Sequence, residues 1–134
     1  LEKFPGLIQW VKKPTRRIKK IYYIIWKNPW MSVSKDTFIG SMLIKLGIEK
    51  YLPDFEEKYP EINLDELDPE TTLLMFSSEP YPFHKKADEL RKLPFPSLIV
   101  NGELFSWFGI RSLVFLETQK DLFKPKPVKF KIRF

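Results

Sequence analysis

The run from Ile18 to Trp26, IKKIYYIIW, constrains the fold of this chain more than any other stretch. β-Branched and aromatic residues dominate it, and residues 21–26 are apolar without a break. A strand with one wet face alternates apolar and polar side chains. A continuous run instead suits a strand covered on both faces, as in a parallel sheet flanked by helices. Two shorter runs, TTLLMF at 71–76 and SLIV at 97–100, have the same character. Helical patterns lie between and after them. Ser34 caps a helix that continues to Leu46, with Phe38, Ile39, Met42, Leu43 and Leu46 on one stripe and Gly47 as the stop. Asn63 followed by Glu66 resembles a capping box on a short helix over 64–67. Residues 84–93 place Ala87, Leu90 and Leu93 inward, and a last helix is expected around 110–123. Alternating strands and helices predict an α/β fold, a three-layer αβα lobe with a small, mostly parallel sheet.

Near the start, Leu7, Ile8 and Val11 stand at helical spacing and Pro14 stops them, so residues 1–13 read as the tail of a helix. Residues 14–123 form the α/β body, and residues 124–134 form a basic tail or charged edge strand. With 134 residues, the chain fits one domain. No apolar run approaches the roughly 20 residues that span a bilayer, so a membrane-spanning role is not expected.

Charge is segregated beneath a net +6. Residues 1–30 hold eight basic groups and one acid, and residues 120–134 hold six and one, around a middle with nine basic and fifteen acidic groups. The cations Lys12, Lys13, Arg16, Arg17, Lys19 and Lys20 read either as a phosphate-binding patch or as a solvated lead-in to the first strand.

The common catalytic signatures are missing. Without cysteine there is no thiolate metal site and no cysteine nucleophile, and the single histidine, His84, excludes a multi-histidine centre. His84 is expected to face solvent at a helix start, with no triad logic linking it to Ser77 and Ser78. The five glycines are scattered, so no phosphate cradle forms. Asp54, Glu56, Glu57 and Glu61 lack calcium-loop spacing and read as a solvated linker. These residues point to no enzyme, no metal site and no cofactor.

What the strand ends share is aromatic residues. Trp26, Trp30 and Met31 follow the first run with Pro29 among them; Glu79, Tyr81 and Phe83 follow the second; Glu103, Phe105, Trp107 and Phe108 follow the third. Ligands of open α/β sheets bind beyond the carboxyl ends of the strands. Large aromatics there suit a bulky, flat ligand held by stacking, while prolines lower the ordering cost of the loops. Taken singly, each aromatic also reads as core covering the sheet edge.

IWKNPWMSV at 25–33 with Asp36-Thr37-Phe38-Ile39, then Tyr59-Pro60-Glu61-Ile62, SSEPYPF at 77–83, and NGELFSW at 101–107 with Arg111 carry a family resemblance. Over about residues 14–118, the chain resembles the C-terminal lobe of periplasmic cobalamin- and iron-siderophore-binding proteins. These are the substrate receptors of ABC importers, in which two α/β lobes are joined by a long helix. The resemblance implies a ligand wall of Trp26, Trp30, Met31, Tyr81, Phe83, Trp107 and Arg111. It further implies a surface acid, Glu79 or Glu103, that docks on the permease subunit. Residues 1–13 would end the inter-lobe helix, with an N-terminal lobe as the missing partner, and the location would be periplasmic or otherwise extracytoplasmic. The metal would arrive already chelated, as cobalamin or a ferric siderophore.

A second reading takes the basic ends and the aromatics Tyr22, Tyr23 and Phe130 as a nucleic-acid-binding module. A third, an α/β enzyme of unrecognised chemistry, would need a perturbed carboxylate near Glu79 or Glu103.

Overall fold

A computed structural model describes residues 8–102 of the chain. The sheet has five strands: β1 (Ile8–Lys12), β2 (Lys20–Trp26), β3 (Met31–Ser32), β4 (Thr72–Ser77) and β5 (Ser97–Val100), in the spatial order β1-β5-β4-β2-β3. β2, β4 and β5 run parallel, aligning Lys20 with Thr72 and Leu74 with Ser97. Both flanking strands are antiparallel, so the sheet is mixed rather than mostly parallel. At the β3 side the reason is loop length: the turn at 27–30 reverses the chain, whereas a parallel return requires a crossover of a dozen residues or more.

Period-2 alternation sorts the side chains of the three central strands between two cores. Ile21, Tyr23, Leu73, Met75, Leu98 and Val100 face one side, where they meet Met42 and Leu43 of helix α1 (Phe38–Lys45). Ile24, Leu74, Phe76 and Ile99 face the other, packing on Leu64, Phe83, Leu90 and Phe95. Every residue of β4 and β5 is buried, which accounts for their continuous apolar runs. Burying each large apolar side chain contributes about 1.5–3 kcal/mol. The fold is α/β, as the alternation of patterns predicts.

Several elements depart from the sequence reading. Residues 8–12 form a strand on the open side of β5, pairing Ile8 with Val100 and Trp10 with Leu98, and not the tail of a helix. Helix α1 starts three residues later than expected. Its cap is Thr37, whose Oγ1 accepts from Gly40 N at 2.9 Å and donates to the Ser34 carbonyl at 2.9 Å. The Ser34 hydroxyl instead bonds the Asp36 carboxylate. Phe38, expected on the inward stripe, is exposed, and Gly47 at φ +89° follows the helix end.

Asn63 caps a single 3-10 turn, Leu64–Glu66, by accepting from Asp65 N at 3.0 Å. The helix expected over 84–93 is a 3-10 turn, Phe83–Lys85, and a short α2 (Ala87–Leu90). Lys86, at φ −116° and ψ 23°, separates them because its backbone lies outside the helical well. Among the described residues, no helix is long and apolar enough to cross a membrane.

Candidate functional site: an aromatic cluster beyond the parallel strands

β2 and β4 end side by side, so the loops that leave them emerge together. Ile24 of β2 lies opposite Phe76 of β4, two and one residues, respectively, before the strands finish. The first loop is anchored from outside. Segment 58–62 runs beside β3, with Ser32 N donating to the Pro60 carbonyl at 2.9 Å and Ile62 N to the Trp30 carbonyl at 3.0 Å. In the second loop, Ser77 Oγ donates to the Glu79 carbonyl at 2.5 Å. The described cis peptide bonds, Asn28-Pro29 and Glu79-Pro80, lie one in each loop.

The rings interlock across the two loops. Trp26 meets Tyr81 edge to face, with centroids 5.3 Å apart and planes at 84°. Tyr81 lies 4.5 Å from Phe83, which sits nearly parallel to Trp30 at 6.3 Å and 11°. Beneath them Phe76 touches Phe83 at 4.8 Å and Trp30 at 6.0 Å, joining the cluster to the second core. Offset and edge-to-face pairs of this kind add about 0.5–1.5 kcal/mol each beyond area burial.

Burial divides the residues by the part they can play. Trp26 remains 41% exposed and Phe83 is 0% exposed. Phe83, expected on the ligand wall, is therefore a core residue, because its ring packs against Phe76 and Trp30. Tyr81, Trp30 and Met31 are half-buried, and Met31 lies across from Trp26 in the β2–β3 pair. Trp30 also lines a cleft of about 290 Å³ with Leu64, Leu67, Leu93 and Phe95. Glu79 is exposed at the loop surface.

The third loop is described only at its root. Gly102 N donates to Ser78 Oγ at 2.9 Å, tying β5's exit to β4's exit. A Cβ on Gly102 would stand 2.4 Å from Ser77 Oγ and 3.0 Å from Glu79 Cγ, so only glycine fits between these loops without displacement. Trp107, Arg111, Glu103 and the 124–134 tail lie outside the described residues, as do Phe105 and Phe108.

One functional group escaped the sequence reading. Lys27 Nζ sits 5.7 Å from the centroid of the Trp30 ring and 3.1 Å from Glu89 Oε1 of α2. The Lys27 hydrogen bond and charge hold the Glu89 carboxyl below its ordinary range. The lysine brings a cation to the edge of the aromatic cluster. Its position between Trp26 and Asn28 was the available signal, but sequence does not reveal which way a loop lysine points.

Other sequence candidates fall elsewhere. Asp54, Glu56, Glu57 and Glu61 are all exposed, and Asp54 pairs with Lys35 at 3.0 Å. His84 is half-buried rather than solvent-facing. Tyr23 is buried, and Tyr22 packs edge-on against Phe55, so neither forms an open stacking platform beside the lysines. Among the described residues, no three His, Cys, Asp or Glu side chains gather as metal ligands.

Comparison of the chain with protein-family models, with curated proteins and with solved structures finds no match.

Proposed function

We propose that this chain is the C-terminal lobe of an extracytoplasmic substrate-binding protein that captures a metal chelate for an ABC importer, with cobalamin and ferric siderophores as the ligand class. One observation carries this reading: the loops beyond two adjacent parallel strands place Trp26, Tyr81 and Trp30 in one partly exposed aromatic cluster. That is the end of an α/β sheet where ligands bind, and aromatic faces reward a large, flat or greasy chelate. Lys27 would meet its anionic periphery. In this reading the lobe is a three-layer αβα unit, Trp107 and Arg111 extend the wall, and Glu79 or Glu103 docks on the permease. A second lobe supplies the opposite wall. A cleft with one wall leaves much of its ligand wet, so the isolated chain should bind weakly.

Tryptophan fluorescence titration with cobalamin and a panel of ferric siderophores, at low and high salt, tests the proposal. Saturable quenching that survives high salt is expected. Trp26→Ala should weaken binding about tenfold or more while costing less stability than Trp30→Ala, because its ring is partly exposed. Trp30→Ala should lower both binding and stability, the latter by about 2 kcal/mol. Silence with every ligand, in this chain and in one joined to an N-terminal lobe, would sink the receptor reading. Quenching by oligonucleotides that collapses with salt would favour the nucleic-acid module instead.

A further inference from the structure

The basic run at 12–20 contains six cations and no acid. Its place in the fold is fixed at both ends. Lys12 of β1 pairs with Ser97, the first residue of β5, and Lys19 and Lys20 donate to the Thr71 carbonyl at 2.8 and 3.2 Å, just before β4. The run therefore crosses the amino ends of all three parallel strands. The aromatic cluster stands at their carboxyl ends, a separation of about 20 Å for a strand of β2's length.

Two of the six cations are engaged. Lys12 Nζ donates to the Leu93 carbonyl at 2.6 Å, and Arg16 meets Glu70 at 3.4 Å in a largely exposed pair. Lys13, Arg17, Lys19 and Lys20 are exposed and have no ion pair among the described residues. The Lys12–Leu93 bond also brings exposed Lys92 toward the same end.

From this placement we infer that the amino-terminal pole of the sheet is a docking surface for an anionic lipid bilayer. Clusters of four to eight Lys and Arg are attracted to anionic leaflets, with roughly fivefold tighter binding for each cation near the surface. One feature favours a bilayer over a polynucleotide. The run itself holds no aromatic on which bases could stack, and among the described residues the rings that flank it, Trp10 and Tyr22, are half-buried, Tyr22 edge-on to Phe55. Exposed Asp68 and Glu70 adjoin it before β4, Glu70 in its pair with Arg16. The surface lies opposite the aromatic cluster and does not depend on what that cluster binds.

Co-sedimentation of the full chain with vesicles tests this directly. Vesicles of 30% phosphatidylglycerol in phosphatidylcholine should pellet the protein in 50 mM salt, and pure phosphatidylcholine should not. Raising salt to 500 mM should release it. Replacing all four free cations (Lys13→Gln, Arg17→Gln, Lys19→Gln, Lys20→Gln) should lower partitioning at least tenfold with the far-UV circular dichroism unchanged. If that variant folds poorly, Lys13→Gln with Lys19→Gln is read in the same assay and should still lose about tenfold. The matching tail variant (Lys124→Gln, Lys126→Gln, Lys129→Gln, Lys131→Gln) should lose less than threefold. The proposal is overturned if anionic vesicles fail to pellet the protein at low salt, or if the tail variant loses binding while the pole variant keeps it. Displacement from vesicles by a 30-nucleotide single strand at equal phosphate would make a polynucleotide the partner and would overturn it too.

Discussion

Tyr23 shows how one hydroxyl links the core to the loop roots. Its ring is wholly buried, and burial pushes its phenol above the usual tyrosine range; the neighbouring Ser77 draws it down, and the charge of Glu79 adds to the rise. Burial raises the Tyr22 phenol as well. A phenol raised in the folded state favours folding through its neutral form. That stability is complete below the unfolded pKa of about 10 and is lost as pH climbs above it. The urea midpoint should therefore fall steeply above pH 10. Tyr23→Phe should flatten that fall while costing about 1 kcal/mol at pH 7. Equal pH dependence in the two proteins would remove Tyr23 as the cause. Neither the burial of this hydroxyl nor its nearness to Ser77 is visible in the sequence, where Tyr23 stands among apolar neighbours like any core residue.

Helix α1 rests on a cap that is made twice over. Thr37 Oγ1 serves the helix start through Gly40 N and holds the preceding turn through the Ser34 carbonyl. Thr37→Ala should lower stability by about 1–2 kcal/mol, read as a shift in the denaturant midpoint, while Ser34→Ala should cost less. An equal loss at both positions would return the cap to Ser34. Continuous apolar runs made β2, β4 and β5 legible, because a strand with a core on each face has no wet side to interrupt it. β1 was misread because Leu7, Ile8 and Val11 satisfy a helical spacing as well as a strand. Only the open side of β5 decides between them, and that is a tertiary fact. β3 has no propensity signal at all; its two residues become a strand because Trp26 and Glu61 flank them.

Across the whole molecule, the parallel strands have chemically unlike ends, aromatic at the carboxyl side and cationic at the amino side. The aromatic end was legible because bulky rings just after strand runs are uncommon in exposed loops. The division between surface and support was not: Trp26 and Phe83 look alike in sequence, yet the first is at the surface and the second is core.

The antiparallel pairing of β1 with β5 has a further consequence, which concerns solubility. β5 is a short, wholly buried strand whose other neighbour is β4, so among the described residues β1 alone covers its remaining row of backbone donors and acceptors. Pro14 looks like a natural place to begin a minimal lobe, and a chain trimmed to start there would lose that cover. Its bare edge would offer a template for strand addition by a second molecule. Light scattering should show concentration-dependent association of the trimmed chain under conditions where the full chain stays monodisperse. A trimmed chain that remained equally monodisperse would mean that β5 is protected by something other than β1.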